Sequence, residues 1–136
     1  MKRLMLLFII TLAGINVFGQ TDAQLSAVAS SANSDAVYRL FPTTNMYTFL
    51  KLNTATGQIY QLQYGMDDTN RMIVPLNVNT LTANRPLKAG TFTLYTTTNM
   101  WTFILVDQVG GNCWQVQWNI DKDKRMVVPI PNYPNE

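Results

Sequence analysis

The side chains able to do acid–base or metal chemistry in this chain are few, and they sit in turns. Asp67-Asp68-Thr69-Asn70 and Asp121-Lys122-Asp123-Lys124 form two acidic clusters, Asp107 lies between them, and histidine is absent. The sole glutamate is the terminal Glu136. This composition removes the usual general base near neutral pH, the usual zinc ligand and every Ser/His or Cys/His nucleophile. What remains is a hydrolase built on a pair of carboxylates drawn from Asp67, Asp68, Asp107, Asp121 and Asp123, or calcium held by the acidic turns. Aspartate is also favoured in turns for its local hydrogen bonds, and Lys122 and Lys124 would repel a cation. The expectation is therefore solvated turns in a chain that is not an enzyme, with no catalytic residue, no metal and no cofactor.

Recognition is the chemistry these residues suit better. Tyr47, Tyr60, Tyr64, Trp101, Trp114 and Trp118 carry flat apolar faces, Asn45, Asn99, Gln61 and Gln115 carry amides, and Arg71 and Arg125 are the only duplicated cations. Rings beside amides and an arginine suit a sugar, whose apolar face stacks while its hydroxyls need planar donors and acceptors. These twelve residues are the candidate ligand-binding set. Each also has a structural reading: rings fill cores, glutamines are satisfied by neighbouring backbone, and an arginine at a strand start caps carbonyls or pairs with an aspartate. The function expected is an exported, non-catalytic binding or interaction protein. Carbohydrate is the first ligand class, a protein partner the second, and a structural or assembly protein that oligomerises through its β-units is the alternative.

The elements that must position these residues are written twice. Tyr38 to Leu76 recurs from Phe92 to Ile130 at a constant offset of 54 residues without a gap, and 15 of the 39 aligned positions are identical. Thr43-Thr44-Asn45-Met46-Tyr47-Thr48-Phe49 returns as Thr97-Thr98-Asn99-Met100-Trp101-Thr102-Phe103, and Arg71-Met72-Ile73-Val74-Pro75 as Arg125-Met126-Val127-Val128-Pro129. Self-similarity at a fixed period marks a duplicated structural unit. Each unit reads as four strands, at about 37–41, 46–53, 58–65 and 71–76 in the first copy, rich in Tyr, Trp, Phe, Thr, Val and Ile. The fold class expected is all-β: two tandem four-stranded antiparallel repeats, 37–77 and 91–131, joined by 78–90 and packed as a sandwich or a closed barrel.

Pairing within each repeat follows from the turns. Thr54-Ala55-Thr56-Gly57 and Gln108-Val109-Gly110-Gly111 end in glycine, where such a loop needs positive φ. Placing Asn53 opposite Gln58 sets Lys51 against Tyr60, Phe49 against Leu62 and Tyr47 against Tyr64. The same register in the second copy sets Leu105 against Trp114, Phe103 against Val116 and Trp101 against Trp118. All these side chains share one face. The other face pairs Thr48 with Gln63, Leu50 with Gln61, Thr102 with Gln117 and Ile104 with Gln115. A unit of about 40 residues buries little alone, so the aromatic faces of the two units are expected to pack against each other or against another subunit.

The ends bound the compartment. Met1-Lys2-Arg3 followed by an apolar run from Leu4 to Ala13 reads as a secretory signal peptide, residues 1–19. Residues 20–36, small and polar, read as a flexible lead to a single domain over 37–136. Loss of Lys2 and Arg3 leaves eight basic against eight acidic side chains, too even a balance for nucleic-acid binding. No membrane span is expected after signal removal, and the destination is the periplasm or the exterior. The one cysteine, Cys113, excludes an intramolecular disulfide; standing where the first repeat has Ile59, it reads as a small buried apolar side chain.

The pattern Thr-x-Asn-Met-[Tyr/Trp]-Thr-Phe, a glycine turn, then [Tyr/Trp]-Gln-[Leu/Val]-Gln-[Tyr/Trp] covers Thr43 to Tyr64 and Thr97 to Trp118. It resembles a group of short secreted bacterial proteins, and the resemblance implies an exported β-protein without assigning any site. In architecture alone, two tandem β-units also resemble small lectins whose repeats assemble as propeller blades through oligomerisation.

Overall fold

The computed structural model describes residues 35–133. The signal peptide, all but the end of the polar lead, and Pro134 to Glu136 lie outside the described residues. Within them the chain is all-β, with eight strands and two single-turn 3-10 segments. The strands are β1 (Tyr38–Pro42), β2 (Thr48–Asn53), β3 (Ile59–Gln63), β4 (Met72–Asn77), β5 (Phe92–Thr96), β6 (Thr102–Asp107), β7 (Cys113–Gln117) and β8 (Met126–Ile130). They form two separate antiparallel meanders, β1-β2-β3-β4 and β5-β6-β7-β8. The sheets do not close into a barrel; one packs on the other as a sandwich.

The local pairing is the one that the turns specify. Thr48 lies opposite Gln63, Phe49 opposite Leu62, Leu50 opposite Gln61 and Lys51 opposite Tyr60, and the second sheet repeats this with Phe103 and Val116, Ile104 and Gln115, and Leu105 and Trp114. Gly57 and Gly111 take φ of +81° and +76° at the ends of their loops, the left-handed region where a Cβ would be strained. Pro75 and Pro129 sit in β4 and β8, at the sheet edges, where a missing N–H costs no ladder bond. The ladders differ at one point, since the β3–β4 pairing slips by one residue between Ile59 and Tyr60 while β7–β8 runs without a shift.

Of the two packings expected for the aromatic faces, the one within the chain is not found: the two aromatic faces do not meet. The second sheet turns its aromatic face inward, burying Phe92, Phe103, Leu105, Val116 and Trp118. The first sheet turns inward the opposite face, burying Phe41, Leu50, Leu52 and Ile59, with Gln61 and Thr48 among them. One cluster joins both sets. The aromatic face of the first sheet looks outward, with Tyr47 and Tyr64 about half exposed. The physical reason lies in the composition of that first sheet. Its inward face carries Phe41, Leu50, Leu52 and Ile59, all fully apolar, whereas its outward face carries Lys51 and four tyrosines whose polar ends belong in water.

Two consequences follow for single residues. Cys113, the counterpart of buried Ile59, is on the outward face of its sheet and only half-buried, which corrects the expectation of a core thiol. The loop Thr54 to Gly57 is buried, since the connection between the repeats folds over it: Leu81 N–H donates to the Thr56 carbonyl at 2.7 Å, Phe92 N–H to that of Thr54 at 2.8 Å, and Gly90 N–H to Thr54 Oγ1 at 3.0 Å. Its counterpart Gln108 to Gly111 is exposed. Among the described residues no helix is long and apolar enough to cross a membrane.

Candidate functional site

The twelve candidate residues do not converge. Trp118 is fully buried, its indole N–H donating to the Met100 carbonyl at 3.0 Å. Trp101 leans on it with ring centres 4.7 Å apart, and Trp114 packs at 6.1 Å from Phe92. These three rings belong to the core and its rim. Tyr47 and Tyr64 stand on the outer face, edge to face at 5.6 Å, as the register requires. Tyr60 shares that face with Lys51, whose Nζ lies 5.9 Å from its ring and 4.7 Å from that of Tyr38.

The polar members of the set mostly serve the fold. Arg125 donates from Nε to the Asn119 carbonyl at 2.8 Å and from Nη2 to that of Ile120 at 3.1 Å, holding the turn before β8. Arg71 pairs with exposed Asp68. Gln61 is buried and its Oε1 accepts from Asn119 N–H at 3.3 Å, a bond that ties the first sheet to the second. Gln115, its counterpart, is half-buried on the outward face. The acidic turns are likewise local: Asp121 Oδ1 accepts from Asp123 N–H at 3.0 Å. Among the described residues no three Asp, Cys, Glu or His side chains gather to hold a metal.

Among the described residues Asp107 is the one buried acid. Burial pushes its carboxyl up, but the N–H groups of Gly110 and Val109 and the Arg85 guanidinium pull it further down, and the net is a pKa below the ordinary carboxylate range. Asn53 occupies the equivalent place in the first repeat and accepts from Ala55 and Thr56 in the same way. The shared role is to shape a loop; the charge and its Arg85 partner are particular to the second copy.

Asn45 and Asn99 are the two candidates, one from each repeat, that border a common cleft. The duplicated Thr-Thr-Asn-Met segments form the β1–β2 and β5–β6 turns, and these two turns face each other across a cleft of about 540 Å³. Each turn is locked by the same bonds. Thr43 Oγ1 donates to the Thr48 carbonyl and Thr97 Oγ1 to that of Thr102, each at 2.9 Å; Asn45 Oδ1 accepts from Tyr47 N–H and Asn99 Oδ1 from Trp101 N–H, each at 2.9 Å. Thr44 and Thr98 of the turns, Thr48 and Thr96 of the inward faces, Met46, Met100 and Phe103 line the cleft, and Phe49 and Thr102, whose side chains alternate to the outward faces, border it. Sequence reasoning missed the threonines, methionines and phenylalanines of this site. The signal was the most faithfully repeated segment of the chain, read as packing because nothing local shows that two turns 54 residues apart share one space.

Comparison with protein-family models, curated proteins and solved structures gives no match for this chain.

Proposed function

We propose that the chain is an exported, non-catalytic binding protein whose ligand is a neutral carbohydrate held between the Thr43–Met46 and Thr97–Met100 turns. The observation that carries this reading is the lining of the cleft: hydroxyls, amides, thioethers and the Phe103 ring, with no ionisable side chain. Such a surface offers a charged ligand no opposite charge. It suits one that presents apolar C–H faces and hydroxyls together, and its volume falls within the range of about 300 to 1,000 Å³ usual for small-molecule sites. Both turns are tied by their own hydrogen bonds before any ligand arrives, so little ordering entropy would be lost on binding.

Tryptophan emission reports on this site, because Met100 lines the cleft, Trp101 follows it and the Trp118 indole is bonded to the Met100 carbonyl. A panel of neutral mono- and oligosaccharides should contain at least one that shifts the emission with a saturable dependence. Met100→Lys, which sets an ammonium in a neutral cleft, should abolish the shift and leave the circular dichroism spectrum unchanged. A panel that moves neither emission nor amide NMR shifts of Asn45 and Asn99 ends the reading.

A further inference from the structure

The two sheets are copies of one unit, yet they meet through different faces, so each chain is left with two unused faces that are counterparts of the two it has already joined. With the offset of 54, the outward face of the first sheet (Tyr38, Leu40, Phe49, Tyr60, Leu62 and Ile73) is the equivalent of the buried face of the second: Phe92, Leu94, Phe103, Trp114, Val116 and Val127. The outward face of the second sheet (Tyr95, Ile104, Val106, Cys113, Val128 and Ile130) is the equivalent of the buried face of the first: Phe41, Leu50, Leu52, Ile59, Val74 and Leu76. Both outward faces keep large apolar side chains in water. Leu40 is 49 % exposed, Ile73 54 %, Tyr95 56 % and Ile130 43 %.

We propose that copies of this chain join head to tail, the outward face of the first sheet of one copy seating on the outward face of the second sheet of the next. The contact reuses the junction inside the chain. It is heterologous, so the unit either closes into a ring or continues as an open chain. Rings of four-stranded blades close at about four to eight blades, which at two sheets per chain means two to four copies. The substitutions between the equivalent faces fit a surface that must stand in water before it is covered. Tyr38 replaces Phe92, Tyr60 replaces Trp114, and Lys51, held over the rings of Tyr38 and Tyr60, replaces Leu105. Tyrosine suits such a surface since it is apolar in body and polar at the tip. Polar contacts have counterparts too. Inside the chain, Asn119 N–H donates to Gln61 Oε1 and Phe92 N–H to the Thr54 carbonyl. Between copies the corresponding bonds run from Gly65 N–H to Gln115 Oε1 and from Tyr38 N–H to the Gln108 carbonyl. The contact also brings the Thr97–Met100 turn of one copy beside the Thr43–Met46 turn of the next, as those turns meet within one chain. The proposal stands independently of the carbohydrate reading.

Light scattering of the purified protein, combined with two surface variants, tests it. The wild-type protein should have the mass of two or more copies. Leu40→Arg damages only the first outward face and Val128→Arg only the second, and each alone should fall to the mass of one copy. Mixed in equal amounts they should form particles of two copies and no larger, because each supplies the face the other lacks. A face that paired with its own kind would leave one variant assembled alone, and that overturns the proposal. A monomeric wild type also overturns it; this is the outcome expected if residues 20–34 of the same chain cover the face. Should the mixture stay monomeric, a second pair, Ile73→Arg and Ile130→Arg, is mixed after circular dichroism has confirmed the β-spectrum of each; failure of both pairs rejects the contact.

Discussion

The two repeats have the same strands, the same register and the same turns, but opposite sides of them are dry. In the first, Leu50, Leu52 and Ile59 are buried while Tyr47 and Tyr64 are exposed; in the second, Trp118, the counterpart of Tyr64, is fully buried while Ile104, the counterpart of Leu50, is half-exposed. Both faces of this unit are apolar enough to be an interior. Sheets that stack in the same sense, front on back, can therefore be extended without any change of unit, whereas sheets that meet front to front are finished once paired. The difference between the repeats is a matter of position in a stack and not of local structure.

The sharpest way to break that comparison is to truncate equivalent residues. Trp118→Ala removes a fully buried indole together with its bond to Met100 and should cost about 4 kcal/mol. Tyr64→Ala, at the same place in the first repeat, should cost less than about 1 kcal/mol. Urea unfolding at concentrations where the protein is monomeric measures both, and similar costs would mean that the two faces are equally buried in solution.

A smaller effect separates the loops after β2 and β6. Arg85→Ala leaves Asp107 buried with only backbone donors and should destabilise the protein by about 2 kcal/mol at neutral pH. The folded-state pKa of Asp107 lies below its ordinary value, so its contribution is complete above the ordinary carboxylate range and is lost as pH falls through the folded-state value. Asp107→Asn copies Asn53 of the first repeat. It should keep the loop, lower stability at neutral pH and flatten the acid limb of the urea midpoint against pH; an acid limb as steep as that of wild type would show that Asp107 is not its source.

The smallest effect concerns two of the three left-handed glycines, Gly57 and Gly111, which end the equivalent loops. Gly111→Ala meets nothing within 4 Å and should cost about 1 kcal/mol for its φ alone. Gly57→Ala carries the same φ penalty and also brings a Cβ within 3.1 Å of Leu81, so its cost should be larger. Equal costs in thermal unfolding would show that the connection 78–90 does not hold Leu81 against the first loop.

Much of this was legible in the residues. Alternation along β2, β3, β6 and β7 together with the glycine loops specified every cross-strand pair there, because a slip by one would mix the two faces. Arg125 as a cap for carbonyls and the aspartates as turn formers could also be read, since their partners lie within a few residues. The candidate site could not. Asn45 and Asn99 were visible as a repeated pair, but the threonines, methionines and phenylalanines around them become a cleft only when two sheets are laid together, and no spacing within one turn carries that information. The same holds for Asp107, whose partner Arg85 comes from the connection between repeats.

By itself, then, the amino-acid order determined an all-β chain of two four-stranded antiparallel repeats and the register of β2 with β3 and of β6 with β7, since these depend on neighbours within one repeat. Which side of each meander is dry was decided only by the tertiary structure. A strand with period-two alternation offers two faces, and here both are apolar, so burial depends on the shape and polarity of whatever lies across the interface: Lys51 and the tyrosines keep one side of the first sheet in water, and the tryptophan side of the second closes over the aliphatic side that remains.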